Sequence, residues 1–287
     1  MESAVRWAWD RQSVWSQAAD RVKRSIERYR AAGLILGIIG ACAATAATQL
    51  MAWSSGTGKA LALLSAVAVG FIPLTTKYAG PQNIQEWTRL RSVSERLKSE
   101  VYMALAGVGA YRDGDASAEL LDRVGRSADE AADLLPRTIG ITPLARSLPE
   151  VSDVDSYIGT RVAGQIEGYY RPRAAQVHRR IRRIRRCELT LTAIAVVLGA
   201  ISVVFAAGWA SAWVATVTTV TAAVAAHVAS TRYAYQELEF SRAAAELEAI
   251  TIGHRSGVPD TDDALVEQCE QVISAQNEGW IAKWLAE

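Results

Sequence analysis

Residues 189–231 read LTLTAIAVVLGAISVVFAAGWASAWVATVTTVTAAVAAHVAST, a run with no formal charge and one titratable group, His227. A helix rises about 1.5 Å per residue and a bilayer core is about 30 Å thick, so roughly 20 apolar residues cross it once. This run is long enough for two crossings, with a tight bend at Ala207-Gly208-Trp209. Upstream, Ala31–Gly58 and Ala60–Thr76 are also uncharged. Together they predict four transmembrane helices in two hairpins, at about 31–53, 59–77, 189–207 and 210–231. Pro73 lies near the end of the second, where its missing N–H favours a kink.

The flanks fit a bilayer. Arg21, Lys23, Arg24, Arg28 and Arg30 precede the first span, and Lys77, Arg89, Arg91, Arg96 and Lys98 follow the second. Arg179, Arg180, Arg182, Arg183, Arg185 and Arg186 crowd the entry to the third, while the hairpin tips carry only Lys59. The positive-inside rule then places both termini and the middle segment in the cytoplasm. Trp53, Trp209 and Trp213 fall at the outer ends of spans, and Tyr29, Tyr78, Tyr233 and Tyr235 at the inner ends, as amphipathic rings prefer. A soluble protein with two buried hairpins is the competing reading, since a helix apolar all round sits in a large core or in lipid. Some 30 polar and amphipathic residues precede the first apolar run, so it reads as a retained anchor rather than a cleaved signal.

Over the 287 residues, 50% are apolar and 21% charged, which excludes disorder and a disulfide scaffold. The net charge of +1 argues against a dedicated nucleic-acid binder. Cys42, Cys187 and Cys269 show no paired spacing and read as small apolar residues.

The chain reads as internally duplicated. Gln85-Glu86, Arg91 and Glu95 after the first hairpin recur at a constant offset as Gln236-Glu237, Arg242 and Glu246 after the second. The expected organisation is a first repeat over 1–135 with its hairpin at 31–77, a linker over 136–151, and a second repeat over 152–287 with its hairpin at 189–231. Ser152-x-x-Asp155 resembles a capping box opening the second repeat. Amphipathic stripes precede each hairpin: Trp15, Ala18, Val22, Ile26 and Tyr29, then Ile158, Val162, Ile166 and Tyr169. They predict helices that run on unbroken into the spans. A further amphipathic helix is expected over 116–135, with Leu120, Leu121, Val124, Ala128, Ala131 and Leu135 inward. The fold class is all-α.

Three constellations carry functional weight. On the fourth span Thr216, Thr219, Ala223, His227 and Ser230 recur at steps of three or four, while Val214, Val217, Val220, Val224 and Val228 cover a different arc. The valine arc suits lipid, and the small polar stripe suits either close helix packing or a water-filled pore. Gly33, Gly37, Gly40 and Ala44 on the first span, and Ala195 and Gly199 on the third, form small-residue faces for helix packing. The arginine run 179–186 reads as a lipid-headgroup contact, a topology determinant, or both. Trp280 and Trp284 read as a core or subunit contact before an interface anchor.

No enzyme is expected. His178, His227 and His254 lack metal spacing. Gly56-Thr57-Gly58-Lys59 lacks the first glycine and the final hydroxyl of a phosphate loop. Asp260, Asp262 and Asp263 read as a solvated turn. No cofactor is expected either.

Tyr157-Ile158-x2-Arg161-Val162-x2-Gln165-Ile166-x2-Tyr169-Tyr170-x3-Ala174, ahead of a two-helix hairpin, resembles the SLATT family of two-transmembrane effectors associated with SMODS nucleotidyltransferases and SLOG sensors. The first half, with Arg11-Gln12-x2-Trp15-x3-Ala19 before its hairpin and Glu95-Arg96-Leu97-Lys98-Ser99-Glu100-x-Tyr102 and Tyr111 after it, resembles a related domain of unknown function. The resemblance implies a homo-oligomeric effector in the bacterial plasma membrane that perforates or depolarises it within a conflict or antiphage system. A nucleotide-signal sensor would be a separate protein or the cytoplasmic helices themselves. The alternative is a non-conducting membrane-anchored scaffold that recruits cytoplasmic partners.

Overall fold

A computed structural model describes residues 1–257 and 261–285, with side chains described through residue 275. Trp280, Trp284 and Asp260 therefore lie outside the described side chains. Every regular element among the described residues is helical.

Helix α1 runs Glu2–Met51 without a break, and a short turn leads to α2, Ser55–Tyr78. Ser54 caps α2 by accepting from the Thr57 amide, so the Gly56–Lys59 segment is simply the first turn of a helix. Pro73 lies inside α2 without ending it. Helix α3, Pro81–Ala106, opens on a proline, whose absent N–H is unneeded in a first turn. Helix α4 runs Ala116–Asp129 and is capped by Asp115, which accepts from the Ser117 and Ala118 amides.

The expected single helix over 116–135 divides at Ala131, and a 3-10 turn follows over Ala132–Thr138. Beyond the break Leu134 is buried and Leu135 exposed; within α4, Leu120 and Val124 are buried and Leu121 is exposed.

Residues 154–204 form one continuous helix, α5, interrupted by two π turns at Ile158–Val162 and Ile166–Tyr170. Its capping box is Asp153 with Ser156, one residue later than the expected Ser152 and Asp155. The π turns explain an unusual burial pattern. Val154, Ile158, Val162, Ile166 and Tyr170 are all buried, at strict intervals of four. An α-helix would rotate such a series by about 40° per step. The wider i→i−5 turns take up that rotation and keep the series on one face.

Helix α6 runs Gly208–Thr231 and ends at Arg232 in the left-handed region (φ +48°). The bend before it spans Phe205–Ala207, with Ala206 at φ +50°, slightly earlier than expected. Helices α7, Tyr233–Arg255, and α8, Asp262–Leu285, complete the described chain.

The helices form two compact units, each drawing on both halves of the chain. The first takes Met1–Arg24, Pro81–Ala175 and Glu237–Glu287, and the second takes Ser25–Gly80 and Gln176–Gln236. The first unit has a full apolar core, with Trp15, Leu90, Leu97, Val101, Leu120, Leu247 and Leu265 all buried. The segment 141–151 has no regular structure and is tied to α1. There Arg146 stacks 3.7 Å from the Trp9 ring, Trp9 Nε1 donates to the Ser147 carbonyl, and Gln17 donates to the Thr142 carbonyl.

The second, the hairpin unit, is the reverse. Its interior is small (Ala43, Ala47, Ala68 and Ala210), while Ile35, Leu63, Phe71, Val196, Val203 and Phe205 are exposed. Four described helical stretches are long and apolar enough to cross a membrane: Glu2–Met51, Ser55–Ala106, Val154–Val204 and Gly208–Arg255. None of the most apolar 18-residue window of α5 is buried. Large side chains with no protein over them are what a lipid-facing surface requires.

Candidate functional site

Within the hairpin unit, α1 and α2 approach closely. A Cβ added at Gly40 would lie 2.8 Å from Val69 Cγ2, and one at Gly33 would lie 2.7 Å from Thr75 Oγ1. Ser65 Oγ donates to the Gly40 carbonyl at 2.8 Å. Gly33 and Gly40 are thus packing residues inside one chain. A Cβ at Gly37 or Gly199 would meet nothing within 4 Å, so neither glycine is needed for close approach here. Ala44 is exposed and Ala195 half-buried, and Ala43 and Ala47 take the buried positions instead.

The fourth-span stripe divides. Thr216 is buried and its hydroxyl bonds that of Thr45 on α1. Ala223 and His227 are half-buried, and Thr219 and Ser230 are exposed. The valine arc expected in lipid is half-buried throughout, at Val214, Val217, Val220, Val224 and Val228. The uncovered face of α6 is Ser211, Ala215, Thr218, Thr219, Ala222, Ala226 and Ser230, a helical series of small residues. The valines are thus the more covered side of α6 and the small residues the less covered one. The hydroxyls of Thr218, Thr219 and Ser230 donate to carbonyls of their own helix, at Val214, Ala215 and His227.

At the cytoplasmic end expected from the charge pattern, Arg179, Arg180, Arg182, Arg183, Arg185 and Arg186 are all exposed. Arg180 lies over the Tyr233 ring at 5.2 Å, and Tyr29 stacks on Tyr78 at 4.7 Å. Trp53 is 90% exposed.

The first unit holds the strongest polar feature. Arg161, 2% exposed, projects from the first π turn of α5. Its Nε and Nη2 donate to the two carboxylate oxygens of Glu270 on α8, each at 2.9 Å. Tyr157, one turn earlier, donates to Glu270 Oε1 at 3.0 Å. Glu95 on α3 stands 3.9 Å from Arg161 and pairs with Arg91 at 2.6 Å. The Tyr102 ring lies 4.9 Å from the guanidinium carbon. Burial disfavours the Arg161 charge, but Glu270 and Glu95 outweigh burial and raise its pKa. Burial also disfavours the Glu95 charge, yet Arg91, Lys98 and Arg161 together hold its carboxyl below the usual range. Burial, joined by the repulsion of Arg161, lowers Lys98 to about 8. Burial beside Glu270 pushes the Cys269 thiol up to about 12, an inert structural cysteine.

The cluster brings together the residues that carry the family resemblance, Tyr157 and Arg161 from one motif and Glu95, Lys98 and Tyr102 from the other. Neither motif shows by itself that they meet. The available signal was an arginine inside an apolar stripe, which must find a counter-charge if the stripe is buried. Its partner, Glu270, lies 109 residues away. The acidic pair at the start of α8 is not merely solvated either: Asp263 accepts from the Gly109 amide at 2.9 Å and from Arg112 at 2.8 Å. Among the described residues no group of His, Cys, Asp and Glu could hold a metal ion.

Residues 157–280 match the family described as SMODS and SLOG-associating 2TM effector domain 1, and residues 13–119 match a family of unknown function, DUF4231. No curated protein and no solved structure matches the chain.

Proposed function

We propose, on the premise that residues 157–280 are a SMODS- and SLOG-associating two-transmembrane effector domain, that the chain assembles in the bacterial plasma membrane and opens a leak there. Both termini face the cytoplasm, following the basic flanks of the spans. The observation that carries this reading is the uncovered face of α6, with Ser211, Ala215, Thr218, Thr219, Ala222, Ala226 and Ser230. In lipid, small residues let backbones come close, so dispersion can hold two helices together where the hydrophobic effect cannot. Copies meeting through this face would gather hydroxyls near a shared axis. The half-buried valines keep α6 packed on its own chain.

A non-conducting scaffold is the second reading. It is favoured by the back-bonding of Thr218 and Thr219 to their own helix, which satisfies both hydroxyls without water.

The deciding experiment reconstitutes the protein in ion-loaded vesicles. Conduction predicts a leak that is lost when Thr219 and Ala222 are replaced by leucine. Vesicles that stay tight under every activating condition, with the protein inserted, leave the scaffold.

A further inference from the structure

A cleft of about 280 Å³ opens in the first unit between α3 and α5. Arg91, Lys98 and Arg161 line it, and no carboxylate does. Arg91 is paired with Glu95 and Arg161 with Glu270, which leaves Lys98 as the cation in excess. Arg161 is almost wholly buried, yet its Nη1 has no acceptor among the described residues. A buried guanidinium nitrogen left without an acceptor costs free energy that a bound oxyanion would restore. The Lys98 side chain makes no hydrogen bond or ion pair among the described residues. Gly164 and Gly168 form part of the wall, and a Cβ at either would meet nothing within 4 Å. Their small size therefore keeps the cleft open and serves no packing contact.

We propose that this cleft binds a small phosphoryl anion, with Lys98 and Arg161 as its principal donors and Arg91 beside them. Three cations against two carboxylates leave a net positive charge at the cleft, which selects an anion. Arginine matches the planar arrays of phosphate oxygens, and lysine acts as a mobile point charge. The volume is at the lower limit for small-molecule pockets, about 300 Å³, which suits one phosphate group with a small substituent. The phosphate can belong to a soluble metabolite or to a lipid headgroup.

The test uses the full chain in phosphatidylcholine nanodiscs, titrated calorimetrically with inorganic phosphate at constant ionic strength. Saturable binding is expected, with no matching response to chloride. Lys98→Met should weaken it about tenfold to a hundredfold, the range for one lost charged hydrogen bond. Gly164→Leu should abolish it by filling the cleft, with the melting temperature retained because the added side chain enters open space. In protein with ¹³C-methylated lysines, the Lys98 resonance should titrate at higher pH when phosphate is bound. Nanodiscs containing phosphatidic acid then separate the sources: competition with free phosphate assigns the site to a headgroup, and its absence assigns it to a soluble compound. No saturable binding by about 10 mM, or equal affinity in wild type, Lys98→Met and Gly164→Leu, overturns the proposal. Because the readout is binding, tight vesicles in the leak experiment would leave it standing.

Discussion

Removing one member of a buried ion pair strands the other charge, at a cost of about 3–5 kcal/mol. Arg161 and Glu270 meet that condition, so Glu270→Gln should lower stability by about that amount and reduce the melting temperature sharply. Replacing both residues by methionine should recover much of the loss, because no unpaired charge remains. Lys98 gives a test by pH. Its pKa falls from 10.5 when unfolded to about 8 when folded, so the unfolded chain holds more protons between these values. Stability should therefore rise as pH climbs from 8 towards 10, and thermal melts of Lys98→Met should lack that rise. Arg161 was legible as an anomaly within an apolar stripe. Glu270 was not, because one exposed-looking glutamate in an amphipathic helix resembles any other. Lys98 read only as one of several cations flanking a span, since its depressed pKa comes from burial in the folded unit and from Arg161 on α5.

Helix elements show why spacing alone misleads. The series 154, 158, 162, 166 and 170 holds a strict period of four, and that regularity was itself the trace of the π turns. The expected stripe of Ile158, Val162, Ile166 and Tyr169 follows 3.6 residues per turn and places the helix, but it misses the register, because the buried ring is that of Tyr170. The glycines of the first hairpin divide in the same way. Gly37→Ala should be neutral or stabilise α1 by up to about 1 kcal/mol, since a Cβ there meets open space. Gly58→Ala should destabilise the α1–α2 turn by about 1–3 kcal/mol, because its Cβ would lie 2.9 Å from the Met51 Cα, which cannot swing aside. Thermal unfolding in detergent distinguishes the two. The expected α6 stripe falls on both sides of the boundary, with Thr216 buried and Thr219 and Ser230 exposed. Periodicity separates two faces of a helix, but which one a neighbour covers depends on how much room that neighbour leaves.

For the whole molecule, the absence of charge over long stretches was enough to find all four apolar helices, because burying an unpaired charge in hydrocarbon is too costly to be common. Assembly is the property that a single chain reports least, and it can be probed directly. In a background without native cysteines, Ala222→Cys and Ala226→Cys should cross-link between subunits in the membrane, while Val217→Cys, half-buried within its own chain, should not. Equal cross-linking at all three would rule out α6 as the meeting face. The connectivity of the first unit has a further consequence. Glu95 and Lys98 come from one side of the join at 136–151, and Arg161 and Glu270 from the other, yet they occupy one interior. A gene fission at that join should therefore yield two fragments that need each other: expressed apart, each would be cleared by proteases, and only co-translation would restore a shared, protected fold.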